Sequence, residues 1–223
     1  MTETRLEAHN LYRFYHAGEE ETLALRGVSL SLRPAETVAI TGPSGSGKST
    51  LLNCLAGLDE PDGGWVAVMG KRMTRRPEAE RTALRARYIG VLLQSGNLLD
   101  HLTVADNLSV AISLAPGDRH RVRVDAALEA VGLAGRARAL PAQLSGGELA
   151  RAGLALALIN DPPFLLADEP TGEVDTANEA QLLDLLAERA RKGSANLLVT
   201  HSPAVASVAD RVLHLVDGRL END

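Results

Sequence analysis

A single cysteine, Cys54, occurs in the 223 residues, so no internal disulfide can form and the chain suits a reducing compartment. No run approaches the roughly 20 consecutive apolar side chains that a membrane-crossing helix needs. The longest run, residues 153–159, has the length of a core-helix segment. The first residues include Glu3, Arg5 and Glu7 and lack the apolar core of a signal peptide, so secretion is not expected. No internal repeat, linker or low-complexity stretch divides the chain, whose length suits one domain with a modest insertion. Positive charge is also in deficit. The 23 Lys and Arg against 29 Asp and Glu leave a net charge of -6, which argues against a general nucleic-acid surface. The deficit is uneven, because Lys71, Arg72, Arg75, Arg76, Arg81, Arg85 and Arg87 crowd one segment. That segment is either a solvated face or one turned toward a membrane or a partner.

What is present is a glycine loop between a strand and a helix. Residues 38–41 form a short β-prone run, and residues 49–55 have helical composition closed by Gly57. Between them, Gly42, Gly47, Lys48 and Ser49 satisfy Gly-x4-Gly-Lys-Ser/Thr, with Ser44, Gly45 and Thr50 completing the loop. Glycine is needed there because the backbone must curl closely round phosphates with its N–H groups turned inward, at the positive end of the following helix. Lys48 would bridge the terminal phosphates, and the Ser49 hydroxyl would ligate Mg²⁺. Downstream, residues 164–167 are continuously apolar, as in a parallel strand buried on both faces. That strand delivers Asp168 to the carboxyl edge of the sheet, where it can hold Mg²⁺ through water, with Glu169 beside it to polarise an attacking water. Adjacent carboxylates are costly without a cation, and Mg-ATP would supply one.

The remaining segments alternate. Residues 60–64 read as a turn and 65–69 as a strand. Roughly 97–158 is helical and alanine-rich, 181–190 an amphipathic helix, 196–200 a buried strand and 211–216 a final strand before the Asp217-Gly218 turn. The expected class is α/β with a largely parallel core sheet and a helical insert.

Leu144-Ser145-Gly146-Gly147-Glu148 is a short motif that most phosphate-loop proteins lack, and by itself it also reads as a capped helix start. With the loop and the Asp-Glu strand end in this order, the whole chain resembles the ATP-binding subunits of ABC transporters. The resemblance implies a P-loop NTPase with an antiparallel β subdomain and a helical subdomain at roughly 95–160, all within one ATP-binding domain over residues 1–223. It implies that Ser145, Gly146, Gly147 and Glu148 act on the ATP of an opposite subunit, and that Asp175 lies in the D-loop across the dimer interface. Gln94 matches the Q-loop glutamine that contacts Mg²⁺, and His201 the switch histidine at the γ-phosphate. Tyr15 is the choice for the aromatic that stacks on adenine, with Tyr12 the alternative.

The segments 57–61, 93–99, 140–144 and 168–172 are similar to the lipoprotein-release and macrolide-export branch. The implied partners are a second ATPase subunit, identical or paralogous, and an integral-membrane permease on a separate chain. The implied location is cytoplasmic, against the inner face of the cell membrane, and export is favoured over import. The alternatives are a non-transport cassette regulating a partner enzyme, as in cell division, and a phosphate-loop kinase or GTPase. The guanine motif Asn-Lys-x-Asp is absent, and no zinc or coiled-coil insert of the DNA-repair or translation type occurs. The chain departs from the family pattern at Leu149, Ala150, Leu156, Glu173 and Ser202, which bears on turnover and on coupling to the partner.

Overall fold

The computed structural model describes residues 5–17, 20–114, 121–172 and 174–221. In chain order the elements are β1 (Leu6–Ala17), β2 (Glu20–Leu32), β3 (Thr37–Thr41), α1 (Lys48–Leu55), β4 (Gly63–Val68), β5 (Lys71–Arg72), α2 (Glu78–Tyr88) and β6 (Ile89–Leu92). There follow α3 (Val104–Ser113), α4 (Arg121–Ala130), α5 (Gly146–Leu158), β7 (Phe164–Asp168), α6 (Thr176–Arg191), β8 (Ala195–Val199), α7 (Pro203–Ser207), β9 (Arg211–Val216) and β10 (Arg219–Glu221). One sheet is antiparallel, in the order β2-β1-β4-β5. The other has the order β10-β9-β3-β8-β7-β6 and is parallel except for β10.

The apolar runs at β7 and β8 are continuous because both faces are covered. Phe164 and Leu166 point into a core shared with the antiparallel sheet and α1, together with Leu6, Leu25, Val66 and Leu51. Leu165 and Ala167 point the other way, onto Leu154 of α5 and Leu182 and Leu186 of α6. Each strand therefore buries every side chain, and the period-two alternation disappears. Cys54, on α1, is in the first core, and burial pushes its thiol up to about 12.

The helical stretch expected at roughly 95–160 lies between β6 and β7, and its first nine residues are loop rather than helix. Two asparagines shape that loop. Asn97 accepts from the Leu93 N–H (2.8 Å) and donates back to its carbonyl (2.6 Å). Asn107 is buried, accepts from the Leu99 N–H (2.7 Å) and donates to carbonyls at Leu99, Leu102 and Thr103. Their amides add hydrogen bonds to the backbone groups of a stretch that has no regular ladder of its own. α3, α4 and α5 then close on their own apolar cluster, built from Leu108, Ile112, Leu128 and Ala155. α5 also contributes Leu154 and Ala157 to the core beneath the sheet, so it belongs to both bodies.

The strand at 211–216 is not the last. Asp217 and Gly218 take positive φ (47° and 75°) and turn the chain back as β10. Among the described residues, no helix is long and apolar enough to cross a membrane.

The contact between β6 and α5 is the tightest joint between sheet and insert. A Cβ on Gly90 would overlap the carbonyl oxygen of Ala157 and press on Pro162. Gly90→Ala should therefore destabilise the protein by about 2 kcal/mol through overpacking, read as a lower urea midpoint at unchanged slope.

Candidate active site

β3 ends at Thr41, and the loop of residues 42–47 swings over the carboxyl edge of the sheet into α1. Gly42, Gly45 and Gly47 have φ of 146°, 78° and 103°, a region that side chains avoid. α1 begins at Gly47 with no side-chain cap and no acidic residue in its first turn, so its N–H groups and positive dipole end are uncovered. The Lys48 ammonium folds back inside the loop and donates to the carbonyls of Gly42 (2.8 Å) and Pro43 (2.9 Å). The result is a small concave surface of backbone donors with a half-enclosed cation, which is the chemistry of a polyphosphate site.

The cavity over this loop measures about 380 Å³. Its walls include Ser44, Gly45, Gly47, Lys48, Ser49 and Thr50, with Tyr15 at one end and Gln94, Asp168, Glu169 and His201 at the other. Every residue the sequence reading placed on the near side of the nucleotide lines it, apart from Gly42, which lies at the base of the loop. Thr22 and Ala24 of β2 also line it and were not anticipated. They arrive through strand pairing, which leaves no local signature.

At the far end, Glu169 sits one residue beyond β7 with φ 49°, a left-handed conformation for a side-chain-bearing residue. Its N–H donates to the Val199 carbonyl (2.9 Å), which holds the turn against β8. One carboxylate oxygen, Oε2, accepts from the Thr200 hydroxyl and from the His201 N–H, both at 3.3 Å. The other, Oε1, is buried, has no hydrogen-bond partner among the described residues, and lies 3.8 Å from His201 Nε2. A carboxylate oxygen fixed in place and left unsatisfied is suited to accept from a bound water. Ser49, Gln94 and Asp168 offer a hydroxyl, an amide and a carboxylate to the same cavity. That all-oxygen set fits Mg²⁺, which takes few protein ligands and the rest from phosphate and water.

Tyr15 donates to Asp59 Oδ2 (2.7 Å), and the Arg13 guanidinium lies 4.7 Å from its ring centre. One ring face is thereby covered and the orientation fixed. Tyr12 instead packs at Gly27 and Gly63 and does not line the cavity.

Ser145, Gly146, Gly147, Glu148 and Asp175 line a different surface, with Arg136, Arg151 and Asn178, around a hollow of about 690 Å³. Ser145 caps α5. Its hydroxyl accepts from the Glu148 N–H (3.2 Å), and the Glu148 carboxylate accepts from the Ser145 N–H (2.9 Å) and from Arg136 (2.7 Å). The reading of this motif as a capped helix start is borne out by these contacts, and the capping box is what shapes the helix start. Asp175 caps α6 in the same way, accepting from the Asn178 N–H (3.1 Å). A single copy thus carries two separate faces, one with the phosphate loop and one with a pair of helix N-termini.

The family model described as ABC transporter matches residues 25–172. The chain belongs to the ABC transporter family. It is 42% identical over 221 residues to the lipoprotein-releasing system ATP-binding protein LolD of Bordetella pertussis, covering 98% of this chain and 96% of that protein. It is 41% identical over 220 residues to the macrolide export ATP-binding/permease protein MacB of Chlorobaculum tepidum, covering 98% of this chain and 34% of that protein. The chain therefore spans about a third of the length of the macrolide-export relatives, and these relatives place it in the branch suggested by its motifs. Among solved structures, the dimeric post-hydrolysis state of the ATP-binding cassette MJ0796 bound to ADP and Pi superimposes with a TM-score of 0.93 at 34% identity, covering 97% of both chains. A second dimeric structure of MJ0796, a bacterial ABC transporter cassette, gives 0.90 at 35% identity. The fold is that of an ABC-type P-loop NTPase.

The departures from the ABC pattern have structural places. Leu149 and Ala150 face the hollow beside the Gln94 loop, and Leu156 packs into the helical cluster. Glu173 lies outside the described residues. The Glu148 carboxyl is held below the usual carboxylate range, first by the Ser145 N–H and then by Arg136. Because its folded pKa is depressed, the box is complete at neutral pH and is lost as pH falls below the ordinary carboxylate range. Ser145→Ala should lower stability by about 1 kcal/mol, while Ser145→Thr keeps the cap; thermal melts at pH 7 measure both.

Proposed function

We propose that two copies of this cassette, or one copy and a paralogue, close around ATP and hydrolyse it to drive an integral-membrane permease on another chain. The carrying observation is the division between the two faces. The residues that would hold a nucleotide gather over the phosphate loop, while Ser145, Gly146, Gly147 and Asp175 line another surface. Neither face is a complete site, and a second copy would bring the missing half. The dimeric form of the MJ0796 cassette supports this reading.

Within each site, Tyr15 stacks on the base through its open face. The loop N–H groups and Lys48 neutralise the phosphates, and the partner's helix start, with the serine at position 145, closes over the γ-phosphate. Ser49, Asp168 and Gln94 would hold Mg²⁺, which would supply neutralising positive charge to the phosphates. Glu169 orients a water through its unsatisfied oxygen and takes up the proton as that water attacks the γ-phosphorus. The bond to the β-phosphate oxygen breaks, leaving ADP and phosphate. His201 holds the γ-phosphate and water in line. Catalysis of this type is positioning and charge stabilisation, with no covalent intermediate on the protein.

Residues 1–223 act as one ATP-binding domain on the cytoplasmic face of the membrane, with the helical insert transmitting closure to the permease. The relatives are named for macrolide export and for a lipoprotein-releasing system, which favours transport, in the outward direction, over the enzyme-regulating alternative.

Glu169→Gln tests the reading. Hydrolysis should fall by about two orders of magnitude or more, while ATP binding survives and a dimer accumulates with ATP on size exclusion. Near wild-type turnover would overturn the assignment of Glu169, and a monomer at saturating ATP would overturn closure. The same variant, isolated from solubilised membranes with ATP, should retain a permease; recovery of a soluble partner alone would overturn the transport role.

A further inference from the structure

Glu179 lies one turn into α6, and its N–H donates to the Asp175 carbonyl (2.8 Å). Its Oε1 accepts two hydroxyls from opposite sides, Thr171 Oγ1 at 2.9 Å and Ser202 Oγ at 3.1 Å. Thr171 is buried and follows Glu169 by two residues; Ser202 follows His201 directly. The chain of contacts continues inward. The Ser202 N–H donates to Thr200 Oγ1 (2.9 Å), and that hydroxyl donates to Glu169 Oε2. Glu179 is thus joined to the general base by two hydroxyl-bearing residues, without touching the phosphate loop cavity itself.

Resting on the proposed function, we infer that Glu179 is a positioning residue for hydrolysis. Its carboxylate ties the turn after β7 to the turn after β8, so that Glu169 and His201 keep a common register. The helix that carries it begins at Asp175, on the face expected to meet the second copy. A shift of that helix start on dimer closure would reach the catalytic pair through this one oxygen. The pattern also accounts for Ser202. An aspartate at that position would set a second carboxylate against Glu179, with no cation among their described contacts, whereas a serine hydroxyl donates to it.

The test is a charge swap read by steady-state hydrolysis. Ser202→Asp should lower kcat roughly tenfold while KM for ATP stays within about twofold, because the damage is to the register of the base and not to binding. Glu179→Gln removes the charge but keeps an acceptor for both hydroxyls, and its amide can donate to an aspartate at 202. Alone it should stay within about twofold of wild type, and combined with Ser202→Asp it should restore most of the lost rate. Glu179→Ala, lacking the acceptor, should lose several-fold in kcat. Thermal melts of all four variants separate this from a loss of fold, since a merely structural role would move kcat and melting temperature together. Wild-type turnover by Ser202→Asp, or equal impairment with and without Glu179→Gln, overturns the inference. If Ser202→Asp does not fold, equal rates for Glu179→Ala and Glu179→Gln overturn it instead. A wild-type chain that binds no ATP would sink the proposed function, a result distinct from either.

Discussion

The backbone of residues 42–47 is pinned at its two ends by carbonyl oxygens that leave no side-chain volume there. At Gly42 a Cβ would overlap the Leu215 carbonyl of β9, and at Gly47 it would overlap the Ala24 carbonyl of β2. A third tie comes from the β9–β10 turn, where the Gly218 N–H donates to the Ser46 carbonyl (3.1 Å). The loop is therefore fixed by both sheets at once, through contacts within the protein itself. Preorganised donors cost little reorganisation when an anion arrives. The two sheets and α1 can be understood as the support for that short piece of chain.

The second half of the chemistry is supported differently. Asp168 and Glu169 hang from a strand buried on both faces, and the left-handed turn at Glu169 is anchored across to β8. α5 and α6 each start at a side-chain-capped terminus on the opposite face and then run back under the sheet. Those helices pack on the sheet along apolar faces. A displacement at their N-termini would therefore press directly on the core.

Legibility in the sequence tracked how local the physics was. The phosphate loop, β7 and β8 were readable because conformation and burial there are set by consecutive residues. β1 and β2 were not individually read. Their pairing is broken by register shifts around Ala8 to Leu11 and again at Arg13, and the alternation of buried Leu6, Ala8 and Leu11 skips at Asn10, which has φ 52°. α2 fully buries no residue, and its apolar stripe is reduced to Leu84 and Tyr88, partly packed on the core; Arg81 to Glu60 (2.8 Å) and Arg85 to the Gly57 carbonyl (3.2 Å) complete its attachment. Several arginines that read as a bare cationic segment are spent on that attachment. Gln94 and His201 were placed through family resemblance alone, because a lone glutamine or histidine has no spacing to betray it. Glu179 and Ser202 stand 23 positions apart and meet only in three dimensions.

Cys54 has a practical corollary. It is enclosed beneath the phosphate-loop helix, with its thiol held protonated far above neutral pH, so native protein presents no reactive sulfur at that site. A cysteine introduced on an exposed face would then be the only one that reagents reach. Spin labels, fluorophores or crosslinkers could report on the separation of two cassettes without first stripping the native thiol from the core.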